Sequence, residues 1–378
     1  MGSETPSAPA DTRDDAVPDG AAGEHAGSPR LARQPTDGVA GTLSEGMPAS
    51  GTVPSFAEIA DALWICGALA AANRLGVCHR LDQGPASVAD LVADNVLAER
   101  GAGPLLDALV QLGLVSRDEA GRYRTTVPNL AELSGRLIRE SESLTDVLRT
   151  GRPTGSAVDR RDGSQRYYPA VLTRTDAAKA EPAARAAAEL AVRAPHEVLD
   201  VGAGTAPWSL AVARLVPACR VTALDLPGVL PMTRAAVAAA GCSSQYTFIG
   251  ADVHTDLLPD SAYDLILVAN VCQLFDADTA RRLLANVARW LRPNGTLALI
   301  HVVSGGAGER SLSASLYNLG LLTRTATGRA HSFADYKEWL VAAGLTQPRG
   351  TDLGGFLPFM LISATKPPGT TAHARTEK

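Results

Sequence analysis

The sequence predicts an α/β protein in which a mainly helical domain precedes a domain built on a doubly wound parallel sheet. From residue 197 to residue 303, short apolar segments alternate with helical ones, an order typical of parallel strands joined by crossover helices. From residue 56 to residue 126, apolar residues recur at helical spacing and are followed by two short strand-like segments. The two patterns occupy separate parts of the chain and therefore indicate two domains.

Length and local composition set the domain boundaries. The 378 residues suffice for two domains with cores of their own. Residues 1–52 are rich in Ala, Gly, Pro, Ser and Thr and lack apolar periodicity, so we expect a disordered tail there. Residues 366–378 have the same character. The helical domain is then expected at 53–193 and the sheet domain at 194–365.

Composition excludes several classes of protein. With 46% hydrophobic residues and a net charge of −5, the chain is typical of a globular protein without a nucleic-acid surface. Its five cysteines form no CxxC pair, so neither a disulfide framework nor a zinc cluster is expected. It has no run of 18 apolar residues and no leader-like N-terminus. We therefore expect a cytoplasmic protein with no membrane partner.

The N-terminal domain has the element order of a winged helix. A long apolar helix starts near Phe56 and ends at Gly76. Ser87 is a suitable N-cap for a second helix, and Gly113 closes a third. Two short strands around a turn at Gly121 would form the wing.

A winged helix raises the question of DNA binding. The candidate recognition helix, residues 104–113, contains no Lys or Arg, although phosphate contacts need them. Residues 56–126 carry six basic side chains against nine acidic ones. The sequence therefore predicts no nucleic-acid partner.

The second domain alternates strands and helices. The candidate strands are residues 197–201, 220–226, 246–252, 264–270 and 296–303. Helices are expected between them, near residues 208–215, 229–240 and 278–291. The apolar segments at the end of the domain could add an antiparallel hairpin at one edge of the sheet.

Three acidic residues are expected at the carboxyl ends of successive strands, where ligands of doubly wound sheets lie. Asp200 is followed by Gly202 and Gly204, which let the backbone turn tightly and approach a ligand. Asp225 could accept hydrogen bonds from both ribose hydroxyls, and Asp252 from an adenine amino group. A single Asp at a strand end is more often a turn or helix cap. Three at matching positions predict a nucleotide site.

The glycine loop narrows the choice of nucleotide. A dinucleotide fingerprint requires G-x-G-x-x-G so that a helix N-terminus can receive a pyrophosphate. Pro207 occupies the third glycine position, and S-adenosylmethionine has no phosphate to bind. A nicotinamide-dependent oxidoreductase remains an alternative.

The segments DVGAGT, ALD and GAD resemble motifs of the class I S-adenosylmethionine-dependent methyltransferases. Together with LGLVSRDEAGRYRTT and GRAHSFADYKEWLVAAGL, they make residues 56–365 similar to small-molecule methyltransferases with an N-terminal winged-helix dimerisation domain. That family includes plant-type O-methyltransferases and bacterial polyketide and antibiotic methyltransferases. The resemblance implies a Rossmann-like methyltransferase domain, a homodimer, S-adenosyl-L-methionine as cofactor and a small-molecule acceptor from secondary metabolism.

The resemblance also implies roles for individual residues. The loop glycines would lie against the methionyl part and ribose of the cofactor, and Asn270 near its methionyl end. Tyr168 matches a position that helps close the cofactor pocket. The implied cofactor-binding residues are Asp200, Gly202, Gly204, Asp225, Leu226, Asp252, Val253, Asn270 and Tyr168.

The acceptor side departs from the family pattern. Members usually carry a histidine base just after the fourth strand, where this sequence has Gln273. A glutamine side chain cannot take a proton at neutral pH. His301, at the end of the fifth strand, is the best alternative base, with His254 and His331 as weaker candidates. Gln273 and His301 are therefore the predicted catalytic residues.

Several chemistries stay open without the usual base. O-methylation of an acidic phenol or carboxylic acid is slightly favoured over C-methylation of an electron-rich carbon or N-methylation of an amine. Metal-assisted C-methylation needs clustered ligands, so no metal site is predicted. A ligand-sensing winged-helix regulator is the alternative from another class. The predicted acceptor-lining residues are Trp64, Phe275, Tyr317 and Asn318.

Overall fold

A computed structural model describes residues 54–94, 96–154, 176–253, 258–305, 312–355 and 357–368. The predicted N-terminal tail lies outside these residues, as do Tyr168 and His254.

The N-terminal region is a set of helices followed by a two-stranded wing. Its elements are α1 (Phe56–Arg74), α2 (Val77–Asp82), α3 (Val88–Ala93), α4 (Glu99–Gln111), β1 (Val115–Arg117), β2 (Tyr123–Thr125) and α5 (Leu130–Thr150). Ser87 begins α3 in a reciprocal capping box with Asp90, so the predicted cap is present. Leu91, Leu106 and Leu109 are fully buried and form the centre of this region's core.

Helix α1 contributes little to that core. Ala72 is its one buried residue, whereas Phe56, Leu63 and Trp64 are 85%, 70% and 80% exposed. By length and composition alone, α1 is the one helix in the described part of the chain that could cross a membrane. An apolar helix this exposed is a surface that another molecule can cover.

The second region is organised around a seven-stranded sheet with the order β5-β4-β3-β6-β7-β9-β8. Its strands are β3 (Glu197–Val201), β4 (Arg220–Asp225), β5 (Tyr246–Gly250), β6 (Tyr263–Ala269), β7 (Leu291–Val302), β8 (Thr346–Gly354) and β9 (Phe359–Thr365). The first five are parallel, and β9 runs antiparallel to both its neighbours. The predicted fold class is confirmed, including the hairpin at the edge.

Helices cover both faces of the sheet. They are α6 (Asp176–Leu190), α7 (Pro207–Leu215), α8 (Leu230–Ala239), α9 (Ala277–Trp290), α10 (Leu312–Arg324) and α11 (Phe333–Ala342). One core lies between the sheet and α6 and α7, and the other between the sheet and α9 and α11. In β7, Ile300 belongs to the first core and Leu299 to the second, as alternation along a strand requires.

The last central strand is longer than predicted. It begins at Leu291 rather than at residue 296, directly after α9. Lys366, the first residue of the predicted C-terminal tail, lies here. Its Nζ donates hydrogen bonds to the carbonyl oxygens of Ala288, Arg289 and Leu291, at 3.1, 3.2 and 2.7 Å. The side chain thereby satisfies carbonyl groups that the end of α9 leaves without helical partners.

Candidate functional site

Strand β3 lies between β4 and β6. The strands that follow it are added first on one side, as β4 and β5, and then on the other, as β6 and β7. This switch point is where doubly wound sheets bind ligands. Gly202, just after β3, has φ of +68°, and a Cβ on it would stand 2.6 Å from Cγ2 of Val271, just after β6. A glycine is therefore required for the two loops to approach each other so closely.

Asp225 is fixed at the end of β4 by two backbone groups. Its Oδ2 accepts a hydrogen bond from the amide of Gly204, and its Oδ1 from the amide of Leu226, both at 2.7 Å. Burial raises the pKa of Asp225 to about 6, against the effect of these two bonds. The carboxylate is therefore ionised at neutral pH, and each oxygen can accept a further hydrogen bond.

Asp200 lies under the glycine loop and is only 1% exposed. It accepts a hydrogen bond from the hydroxyl of Ser209 in α7, which in turn accepts one from the hydroxyl of Tyr246 at 3.0 Å. Burial raises the pKa of Asp200 to about 7, Ser209 opposes the shift, and the charge of Asp225 adds to it. These contacts join β3, α7 and β5 beneath the loop.

The remaining described cofactor candidates lie at neighbouring strand ends. Asp252 and Val253 follow β5 and are partly buried, and Val253 packs against the core under α9. Asn270 follows β6 with φ of +57°, and its amide donates to the carbonyl oxygen of Ile300 at 3.0 Å. Its side-chain oxygen accepts a hydrogen bond from Gln273 at 3.3 Å.

These groups fit a nucleoside cofactor. The glycine at residue 202 lets the loops after β3 and β6 approach closely, the Asp225 carboxylate can receive the two hydroxyls of a ribose, and Asp252 follows the next strand. In the described part of the chain, no three His, Cys, Asp or Glu side chains are grouped to hold a metal ion.

Gln273 lies in a short 3₁₀ turn, Cys272–Leu274, and is 2% exposed. Its Nε2 donates to the hydroxyl of Tyr317 at 3.0 Å and to Asn270. Its Oε1 is buried and has no hydrogen-bond partner among the described residues. A Cβ on Gly328 would stand 2.6 Å from the carbonyl oxygen of Gln273, so the segment before α11 presses directly on this turn.

The predicted acceptor-lining residues are not all in one place. Tyr317, on α10, contacts Gln273, and burial raises the pKa of its phenol. Asn318 accepts a hydrogen bond from the amide of Ala330 at 2.8 Å, which fixes the segment before α11. Phe275 packs against the core under α9, and Trp64 is exposed on α1.

His301 lies in the interior between the sheet and α11. Its ring stacks on Tyr336 with centroids 5.1 Å apart, and neither ring nitrogen has a hydrogen-bond partner among the described residues. Burial lowers the pKa of His301 to about 3, so the imidazole is neutral at physiological pH. His331 is also buried, with Nε2 3.1 Å from the carbonyl oxygen of Phe275.

A separate pocket of about 620 Å³ lies at the other end of the strands, away from the switch point. It is lined by residues near the amino ends of β3, β6 and β7, including His196, Asp264 and Thr296. The convergent acidic and amide groups, however, lie at the carboxyl ends of the strands. Position therefore favours the switch point as the functional site.

Comparison with known proteins agrees with this geometry. The O-methyltransferase domain family matches residues 155–346, and the O-methyltransferase dimerisation domain family matches residues 57–133. A 3-hydroxy-5-methyl-1-naphthoate 3-O-methyltransferase of Streptomyces sahachiroi is 26% identical over 328 residues, covering 79% of this chain and 93% of that protein.

Two further similarities extend the comparison. An L-tyrosine C(3)-methyltransferase of Streptomyces lavendulae is 29% identical over 173 residues, 45% of this chain and 47% of that protein. The crystal structure of human N-acetylserotonin methyltransferase in complex with SAM superposes with a TM-score of 0.64 at 22% identity, covering 84% of this chain and 99% of that one.

Proposed function

We propose that this chain, which belongs to the O-methyltransferase family and is an S-adenosylmethionine-dependent methyltransferase, methylates a hydroxyl group on an aromatic small molecule. The naphthoate 3-O-methyltransferase of Streptomyces supports an aromatic hydroxyl as the acceptor class. The observation that carries the proposal is the buried, unpartnered Oε1 of Gln273. It stands where a hydroxyl hydrogen of the acceptor can be received.

The cofactor is held by the switch-point loops. When bound, S-adenosylmethionine supplies an electrophilic methyl group on a sulfonium. Asp225 accepts hydrogen bonds from the ribose hydroxyls, because its two oxygens are already oriented by Gly204 and Leu226. Asp252 and Val253 meet the adenine. Asn270 adjoins the methionyl end and is tied to the acceptor side through Gln273.

Gln273 orients the acceptor without taking its proton. Its Nε2 is committed to Tyr317 and Asn270, which leaves Oε1 to accept from the acceptor hydroxyl. An unmade hydrogen bond at a buried carbonyl costs about 1–3 kcal/mol, so an acceptor that fills it is selected. Alignment for in-line displacement then supplies the rate advantage.

The proton leaves without a protein base among the described site residues. Formation of the C–O bond would be matched by breaking of the bond between the methyl group and the donor sulfur, which keeps the electron pair as a neutral thioether. The O–H bond of the acceptor breaks and its proton passes to water. His301 is held neutral and unprotonatable near neutral pH by its burial, so we assign it a packing role rather than that of base. An acidic phenol is the acceptor that needs such a base least.

Product analysis tests the proposal. The enzyme is incubated with S-adenosylmethionine carrying a ¹³C-labelled methyl group and a panel of hydroxynaphthalenes and hydroxynaphthoic acids. We expect a product heavier by one CH₂ unit whose methyl resonance is that of an aryl methyl ether. Absence of any methylated product, although S-adenosylhomocysteine binds, would reject an aromatic hydroxyl as the acceptor.

C-methylation is the second candidate, and two observations favour it. An L-tyrosine C(3)-methyltransferase is 29% identical to this chain over 173 residues, 45% of its length. Gln273 also removes the usual base, which an electron-rich ring carbon needs less before attack. The same labelling experiment separates the two, because an aryl–CH₃ resonance differs from that of a methyl ether.

We also propose that the enzyme is a homodimer. The match to an O-methyltransferase dimerisation domain and the exposed apolar side chains of α1 support it. Sedimentation equilibrium of the full chain tests it, since a single species with the mass of one chain at micromolar concentration would contradict a stable dimer.

A further inference from the structure

Tyr317 is the described acceptor-side residue that links Gln273 to a positive charge. The Cζ of Arg324 lies 5.5 Å from the centroid of the Tyr317 ring. Burial raises the pKa of the Tyr317 phenol, and the nearby charge of Arg324 opposes that shift. The same hydroxyl oxygen is 3.0 Å from Nε2 of Gln273. A guanidinium thus stands one side chain away from the atom proposed to orient the acceptor.

The position of the Arg324 guanidinium follows from its place on α10. Tyr317, Gly320 and Arg324 follow one another at i, i+3 and i+7, and so share one face of α10. A Cβ on Gly320 would be 3.8 Å from Nη1 of Arg324, so the guanidinium lies back over Gly320 toward Tyr317.

Arg324 has no ion-pair partner within the described part of the chain. It is partly buried, and none of the ion pairs among the described residues includes it. Two arginines of α9 differ, because Arg281 pairs with Asp278 and Arg289 with Asp260. A guanidinium that is not engaged by a carboxylate of the protein keeps its N–H donors available for an anion from outside.

We infer that Arg324 binds a carboxylate of the acceptor, so that the preferred substrate is a hydroxylated aromatic acid. The inference rests on the proposed function, because it assumes an aromatic acceptor at Gln273. A guanidinium matches a carboxylate with two parallel hydrogen bonds, which suits a planar aromatic acid. Gln273 then contacts the hydroxyl that is methylated, and Arg324 holds the far end of the same molecule.

The cofactor also carries a carboxylate, but its expected place is different. Gln273 lies between Asn270, on the cofactor side, and Tyr317, on the side of α10. Arg324 contacts Tyr317, so along this series of contacts Gln273 and Tyr317 lie between Arg324 and Asn270. S-adenosylhomocysteine binding by Arg324 variants distinguishes the carboxylate of the cofactor from that of the acceptor.

The test compares a hydroxynaphthoic acid with its methyl ester as acceptors for the wild type, Arg324→Met and Arg281→Met. The wild type should prefer the acid. Arg324→Met should raise KM for the acid about tenfold to a hundredfold, the usual value of a hydrogen-bonded charge, and leave the ester nearly unchanged. Arg281→Met, which removes an exposed arginine on α9, should change neither. Arg324→Lys should retain part of the preference for the acid.

Three outcomes would overturn the inference while sparing the aromatic acceptor. These are equal losses for acid and ester in Arg324→Met, a wild type that prefers the ester, and weaker S-adenosylhomocysteine binding with an unchanged acid-to-ester ratio. Methylation of neither compound by the wild type would reject the proposed function as well. If Arg324→Met does not fold, Arg324→Gln and Arg324→Lys give the same acid-to-ester comparison.

Discussion

Residue 273 is a glutamine where related enzymes usually have a histidine base. The hydrogen bonds of its side-chain amide determine which role it can take. The contacts with Tyr317 and Asn270 fix both hydrogens of Nε2, so the side chain cannot rotate without losing two bonds. It therefore acts through position. The same fixed geometry makes its contribution measurable by substitution.

Gln273→Ala should lower kcat/KM by about tenfold to a hundredfold, because one acceptor hydrogen bond is lost. The shape of the pH–rate profile should not change, since no titrating group is removed. Steady-state kinetics from pH 6 to pH 9 measures both. A fall of more than about a thousandfold, or a lost pH limb, would mean that Gln273 does more than orient the acceptor.

Asp225 predicts the pH dependence of cofactor binding. Its pKa is raised by burial to about 6, and its ionised form is the one that accepts from a ribose. Affinity for S-adenosylhomocysteine should be constant above about pH 7 and fall about tenfold per unit below pH 6. Calorimetry of the wild type and Asp225→Asn checks this. The variant should bind weakly with no step near pH 6, and an identical step in both proteins would refute the assignment.

His301 was a predicted base, and its burial argues for a different role. His301→Phe keeps the stacking on Tyr336 and removes two buried nitrogens that have no described partner. We expect activity within about tenfold of wild type and an unchanged or higher melting temperature. Loss of activity in a folded variant by more than a thousandfold would restore His301 as the base.

At the scale of elements, the site depends on the approach of the loops after β3 and β6. Gly202→Ala should weaken cofactor binding, because its Cβ would meet Val271 Cγ2 at 2.6 Å. Adding Val271→Ala removes the atom that clashes and should recover part of the binding. The positive φ of residue 202 still costs about 1 kcal/mol, so recovery should be incomplete. Calorimetry of the two single variants and the double variant measures the coupling, and purely additive losses would contradict a direct clash.

The residues at the carboxyl ends of the strands can be predicted from the sequence, whereas the hydrogen bonds that support them from other elements cannot. Asp225 and the glycine loop follow from the alternation of strands and helices and from the Gly-x-Gly spacing. The support of Asp200 by Ser209 and Tyr246 depends on how α7 and β5 pack, which no local pattern encodes. The same holds for Arg324, although its spacing from Tyr317 on one helical face was a usable signal.

At the scale of the whole molecule, two regions have different surfaces. The sheet domain buries its apolar side chains in two continuous cores, whereas α1 leaves most of its own exposed. A surface of this kind in a family with a dimerisation domain predicts self-association through α1.

If the proposed dimer forms through α1, the double substitution Leu63→Glu, Trp64→Glu should convert it to a monomer, because it places two charges on the exposed apolar surface of that helix. Sedimentation velocity measures the change. As a control, Leu215→Glu alters an exposed leucine at the end of α7, outside the dimerisation domain, and should leave the mass unchanged. An unaltered mass in the double variant would exclude α1 as the interface.

The unpartnered oxygen of Gln273 also bears on turnover. Before reaction, the acceptor hydroxyl has a hydrogen to give to Oε1. After reaction, a methyl ether has none, so two oxygens with lone pairs face each other in a buried place. The site then binds the methylated product less tightly than the substrate, because methylation removes the hydrogen bond to Gln273. Methylation itself therefore promotes product release. We therefore expect weak product inhibition by the methylated aromatic.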